Sequence, residues 1–337
     1  MIEAAFGGVD LLSRRSIRGW VKKPDDDAPA LLNVLLDGRV IKRLRADRPC
    51  EPGPSGDQRV GFKFRIGKSL APYIHSEDSL TFAVGSASLP VRSNLLKPAA
   101  PRTRRPAEEI FEKLDSGYII TKKGGLRLSI HLDEAWKGRI FPFYAHARNV
   151  FREVAGYDLH ITYGTLLGHV RDGGFIAGDD DFDVAYVSRH QRPERVRAEM
   201  IDIIEKLQRA GEHIRIGKRR NFFYWLSADG VSIDVFPAWV RGEDFFMSFA
   251  VGAPAAAALE HGFEDAVFEG RSVLAPKKAE AVVEAIYGAG WRTPDPMFQW
   301  RVPRVLKREM NALRLSPADR ERINQSAPPL ADDPHDD

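Results

Sequence analysis

Between Lys97 and Pro106 the chain runs Lys-Pro-Ala-Ala-Pro-Arg-Thr-Arg-Arg-Pro, and this stretch divides what the sequence can fold into. Three prolines and four basic residues in ten positions give no apolar periodicity, so the stretch reads as a linker. Before it the pattern has period two. Ser16–Val21 is a short strand candidate ended by Pro24-Asp25, and Val60–Ile66 alternates apolar with polar. Leu31–Leu36 and Arg39–Leu44 flank Asp37-Gly38, a dipeptide that tolerates the positive φ angles of a tight hairpin turn. Leu80–Val84 and Ser88–Val91 add further strands. Short strands separated by Gly, Pro and Asp argue for a small all-β sandwich.

After the linker the period changes. Asp133–Val154 carries apolar residues at helical spacing (Ile140, Tyr144, Ala147, Phe151), with Asp133 as N-cap and Gly156 as stop. Leu159–Tyr163 and Phe182–Val187 are strand candidates, and Gly164–Arg171 reads as a loop entering a helix. Pro193–Ala210 is a second long helix closed by Gly211. Phe222–Leu226 and Val231–Phe236 form a hairpin across Asp229-Gly230. The expected organisation is therefore a β-sandwich over residues 1–96, a linker over 97–107, an α/β (α+β) domain over 108–315 and a disordered tail over 316–337.

Composition narrows the function classes. At 43% hydrophobic over 337 residues the chain can fill two cores. A single cysteine, Cys50, excludes an intrachain disulfide and a cysteine-built zinc site. No run approaches the ~18 apolar residues of a membrane span, and Phe249–Leu259, the longest, is rich in alanine and glycine. Met1–Asp10 lacks a basic stretch followed by an apolar core, so no signal peptide and a cytoplasmic location are expected. Residues 1–107 hold 19 basic and 11 acidic residues, net +8; the remainder holds 31 and 36, net −5. A basic first part suits an anionic partner or simply a solvated basic surface, and contact with the inner face of a membrane stays open. No nucleic-acid motif is present.

The chemistry is concentrated in Asp179-Asp180-Asp181-Phe182-Asp183. In an extended segment Asp179, Asp181 and Asp183 share one face, and three carboxylates together call for a cationic partner. Hard oxygen donors select Mg²⁺ or Mn²⁺. Taken alone, the run reads more simply as a solvated acidic loop. Asp234 adds weight: it lies between Ile233 and Val235 in an apolar strand, where a carboxylate needs a partner. Gly164-Thr165 sits between strand and helix, where backbone N–H groups can approach phosphate, and Arg171 and His169 follow as candidate phosphate contacts. Lys218-Arg219-Arg220 is a further basic run, most simply a solvated one.

Tyr163-Gly164-Thr165-Leu166-Leu167-Gly168-His169-Val170-Arg171, the Gly174-Phe175-Ile176 that follows, and the acidic run resemble the signature of the LicD/fukutin family. Ile233–Pro237 resembles its second acidic strand, and Ala285–Pro294 its late Tyr-Gly, Trp and Pro element. The resemblance implies a nucleotidyltransferase fold and transfer of a phospho-substituent, such as phosphocholine or a polyol phosphate, from a CDP-activated donor to a cell-surface glycan or glycolipid. It implies a metal held by Asp179, Asp181, Asp183 and Asp234, and donor phosphates bound by Gly164-Thr165, while His169 and Arg171 are candidate phosphate contacts from their position between that loop and the aspartates. Asp181, Asp183, Asp234 and Arg171 are the expected catalytic groups. A role in capsule or lipopolysaccharide assembly follows from the same likeness. Ala177-Gly178 stands where the family usually carries Pro-Trp, and His169 where a small residue is common. Two alternatives stay open at this level: an inactive glycan-binding scaffold, and a nucleotidyltransferase that releases pyrophosphate.

Overall fold

The computed structural model describes residues 7–13, 15–23, 30–53, 56–74, 80–91, 104–217, 221–248, 259–295, 298 and 306–325. The Pro24-Asp25 stop, linker residues 97–103, the basic run 218–220, residues 249–258 of the alanine-rich stretch and tail residues 326–337 lie outside that set. The chain divides into two compact units, residues 1–129 and 130–336.

The first unit is built from β1 (Gly7–Ser13), β2 (Ser16–Lys22), β3 (Ala30–Leu36), β4 (Arg39–Ala46), β5 (Arg48–Pro49), β6 (Arg59–Arg65), β7 (Leu80–Val84) and β8 (Ala87–Ser88). These form two antiparallel sheets, ordered β1-β2-β6-β5 and β4-β3-β7-β8. Alternation in the sequence sets what faces inward. Ile17, Val21, Phe62 and Phe64 from one sheet and Leu32, Val34, Leu36 and Phe82 from the other share one buried core. Phe82 stacks on Phe62, centroids 5.3 Å apart, and meets Phe64 edge-on at 6.1 Å. The β3–β4 connection is the two-residue turn foreseen at Asp37-Gly38, with φ of 46° and 83°.

Helix α1 (Ala107–Asp115) and the hairpin of β9 (Tyr118–Ile120) and β10 (Leu126–Leu128) fall in this unit too, although they follow the proline-rich stretch. Ile110 and Ile120 are buried in the same core, and the Lys42 ammonium donates to the carbonyls of Ile120 and Thr121. The division therefore lies between Ser129 and Ile130 rather than at residue 108. A short helix and hairpin have too little apolar surface to stand alone, and they complete the nearest open core.

The second unit opens with α2 (Glu134–Ala155), capped as expected: the Asp133 carboxylate accepts from the Trp136 N–H at 2.8 Å, and Gly156 takes φ 72°. There follow β11 (His160–Ile161), α3 (Tyr163–Leu167), β12 (Asp183–Val187), α4 (Pro193–Arg209), β13 (His213–Arg215), β14 (Phe223–Leu226), β15 (Ser232–Arg241) and β16 (Asp244–Met247). The sheet order is β11-β12-β15-β14-β13, with β16 also on β15. Only the β12–β15 pair is parallel among these ladders. Its strands are buried, as a parallel pair requires. Helices α2 and α4 bury Ile140, Tyr144, Ala147, Phe151, Met200, Ile204 and Leu207 in the core they share with it.

A second hairpin, β17 (Phe263–Phe268) and β18 (Arg271–Pro276), turns at Glu269-Gly270 and precedes α5 (Ala279–Tyr287). Helices α6 (Lys307–Ala312) and α7 (Pro317–Gln325) end the described chain. Part of the segment expected to be a disordered tail is thus helical. Ser316 and Asp319 bond reciprocally, side chain to backbone, at 2.8 and 3.1 Å, and Ile323 is buried in the core. Among the described residues no helix is long and apolar enough to cross a membrane.

Candidate metal centre

The parallel register of β12 and β15 makes Asp183 and Asp234 direct neighbours, so their side chains leave the sheet on one face. Each is only 7% exposed. Upstream of β12 the acidic run is extended enough that Asp179, Asp181 and Asp183 converge. Each offers an oxygen, and the three lie within 4.8 Å of one another. Phe182 points the other way and is fully buried. The period-two expectation therefore holds for the run. Asp234 stands beside that trio and is not part of it.

The first turn of α3 is locked to the same strand. The Gly164 N–H donates to Asp183 Oδ2 at 3.1 Å, and the Asp183 N–H donates to Thr165 Oγ1 at 2.9 Å. Thr162 N–H adds a bond to the Asp183 carbonyl at 3.0 Å. Tyr163 adopts φ 40°, a left-handed conformation that a bulky residue holds only under constraint. It is braced by an edge-on contact with Phe236 at 4.8 Å. Gly164 follows, and its missing side chain leaves room for the acidic run: a Cβ there would lie 2.0 Å from Asp179 Oδ2.

The electrostatics ask for a cation. Burial pushes the Asp183 carboxyl well above the usual range, and the charges of Asp181, Asp179 and Asp234 add to it; the Gly164 N–H opposes them. The donor set fits a small divalent ion. Opposed oxygens on Mg²⁺ stand about 4.2 Å apart, twice the metal–oxygen length. Among three ligands only one pair can be opposed, and neighbouring oxygens on Mg²⁺ stand about 3 Å apart, so the three carboxylates, now within 4.8 Å of one another, draw together to share one ion.

The other expected residues divide. His169 is half-buried, edge-on to Phe268 at 5.9 Å, and burial lowers its pKa. Arg171 presents its fork to Asp172, with both nitrogens 2.8 Å from the carboxylate oxygens. Both sit in one π-helical turn, Gly168–Asp172.

Two groups join the centre that the reading of the sequence left out of it. Burial, then Asp183, Asp179, Tyr163 and Asp181, hold the Tyr287 hydroxyl far above its ordinary pKa, so the end of α5 faces the aspartates. Glu269 anchors the approach to the acidic run. Its carboxylate accepts the Phe175 N–H at 3.0 Å and pairs with Lys137 at 2.9 Å. Glu269 carries no periodic signal; Tyr287 lies in the Ala285–Pro294 likeness, but nothing in that element alone ties it to the aspartates.

Residues 156–278 match the model of the LicD/FKTN/FKRP nucleotidyltransferase domain. This part of the chain is a LicD-family domain. The match opens at the cap of α2 and closes just before α5, so it contains Gly164-Thr165, the acidic run and Asp234. In the chain the LicD domain follows a β-rich N-terminal module. A solved structure of the Bradyrhizobium diazoefficiens CD-NTase CdnG in complex with GTP is also similar, at 13% identity and a TM-score of 0.25. That match covers 46% of this chain and 42% of the other, too loose to inform the LicD domain's site. No curated protein matches the sequence.

Proposed function

We propose that the LicD domain transfers a phospho-substituent from a CDP-activated donor to a hydroxyl of a cell-surface glycan, with release of CMP. The observation that carries this reading is the convergence of Asp179, Asp181 and Asp183, with Asp234 alongside, under the turn that bears Gly164. A divalent cation, Mg²⁺ or Mn²⁺, held by these carboxylates supplies positive charge against the donor pyrophosphate. The protein's own part is positioning. The Gly164-Thr165 turn and the start of β12 are tied by reciprocal bonds, so the carboxylates meet the donor preset. In the transfer the acceptor oxygen bonds the distal phosphorus, the phosphorus–oxygen bond to CMP breaks, and the hydroxyl proton passes to Asp183 or Asp234. Arg171 reaches a phosphate only by exchanging the Asp172 carboxylate it now holds.

The test is a screen of CDP-linked donors with candidate glycans. Metal-dependent CMP release, lost with chelator and in Asp181→Asn and Asp183→Asn, is the expected result. Pyrophosphate release, or near-normal transfer by both variants, sinks the assignment.

A further inference from the structure

The outer face of the β1-β2-β6-β5 sheet is a cationic array. Register places Arg18 opposite Lys63, Ser16 opposite Arg65 and Lys22 opposite Arg59, while Arg48 on β5 lies opposite Gly61. Residues opposed in an antiparallel ladder share a face, and those two apart on a strand share it too. Arg18, Lys63, Arg65 and Arg48 therefore stand together, about 5 Å apart across strands and about 7 Å along them. Arg18, Arg48 and Arg65 are exposed. None of the four pairs with a described carboxylate. Burial, then the charges of Arg65, Arg18 and Arg48, hold the Lys63 ammonium below the usual lysine range, a sign that the cations face one another. Concentrating like charges on a rigid sheet is unfavourable unless an anion offsets it.

The array also lacks what a bilayer or a base-stacking partner needs. Trp20, the aromatic side chain on the face, is 3% exposed, because the Arg59 guanidinium lies 3.6 Å above its ring. Recognition here is by charge alone, at fixed spacing.

We propose that this face binds an anionic polysaccharide, a chain bearing a carboxylate or phosphate on successive sugars. The choice of a glycan rests on the acceptor proposed for the LicD domain.

The experiment titrates the full chain, without donor or divalent cation, with polygalacturonate, neutral dextran, phosphatidylglycerol vesicles and a DNA duplex. Polygalacturonate should bind and dextran should not, with affinity falling at least about tenfold between 50 and 200 mM salt, as three or more released counterions require. The exposed double variant Arg18→Glu/Arg65→Glu should lose at least tenfold with an unchanged melting temperature. Unchanged binding in that variant, or tighter binding to vesicles or DNA, overturns the proposal. Because binding is measured apart from transfer, Asp181→Asn separates the two readings: it should bind polygalacturonate normally while releasing no CMP. A wild-type chain that releases CMP but binds no polygalacturonate defeats the array alone.

Discussion

Gly164→Ala tests the site with the smallest change the structure allows. Gly164 lies within α3 and not in the left-handed region, so the backbone accepts alanine, which favours a helix by up to about 1 kcal/mol. The added Cβ would nevertheless stand 2.0 Å from Asp179 Oδ2 and 3.1 Å from its Cγ. That oxygen has to retreat by about 1.4 Å to reach an ordinary contact. The atom that yields is the terminal oxygen of a short side chain, so stability should change by less than about 1 kcal/mol. The carboxylate trio is another matter. Its oxygens, within 4.8 Å of one another, have to draw together on one small ion, and pushing the Asp179 oxygen away works against that. Mn²⁺ affinity by calorimetry should fall about 10–100-fold, the range for disturbing a ligand's support. CMP release should fall about 100-fold, as for a comparable misplacement. Wild-type Mn²⁺ affinity with an unchanged melting temperature would refute the claim that the turn and Asp179 form one device.

Three further outcomes follow from packing and charge. Thr165→Val leaves the Asp183 N–H without its acceptor in a buried site and should cost about 1–3 kcal/mol by denaturant titration, with Thr165→Ser restoring most of it. Glu269→Gln should cost about 1–3 kcal/mol, less than for a wholly buried pair because Glu134 still holds Lys137 at 3.0 Å. Burial alone would raise the Glu269 pKa and lower that of Lys137, but their mutual bond, with Phe175 and Glu134, reverses both. The pair's stabilisation is therefore full between about pH 4.3 and 10.4, is lost as pH falls through the lowered Glu269 pKa or rises through the raised Lys137 pKa, and should vanish from a Lys137→Met cycle. His160 is 1% exposed, stacked on Phe263 at 4.4 Å, and burial pushes its pKa down to about 3. The unfolded chain binds the extra proton between that value and about 6.5, so stability falls with acid by about 1.4 kcal/mol per pH unit. Melts from pH 7 to 4.5 should lose about 3 kcal/mol, and His160→Phe should flatten that slope.

The parts of the fold legible in the sequence are those governed by local rules. Asp37-Gly38 dictated its hairpin, Asp133 and Gly156 bounded their helix, and alternation put Asp179, Asp181 and Asp183 on one face. What escaped depends on pairing between distant segments. The parallel ladder that sets Asp183 beside Asp234 leaves no trace in either strand alone. Glu269-Gly270 makes a tight turn without a common turn dipeptide, so the β17–β18 hairpin gave no signal. Helix α1 was separable from the β unit only on paper, since its pairing with that core is tertiary. Arg171 was expected to face a phosphate; its neighbour Asp172 holds the fork instead.

The Glu269 carboxylate spans 94 residues to Phe175 and 132 to Lys137. A ribosome therefore cannot finish the acidic centre when the aspartates emerge: the segment ahead of them stays untethered until the β17–β18 turn has been made. Closing so long a loop late in synthesis favours slow maturation of the centre relative to its helices. Fragments ending before the turn should gain helix content without gaining affinity for Mn²⁺.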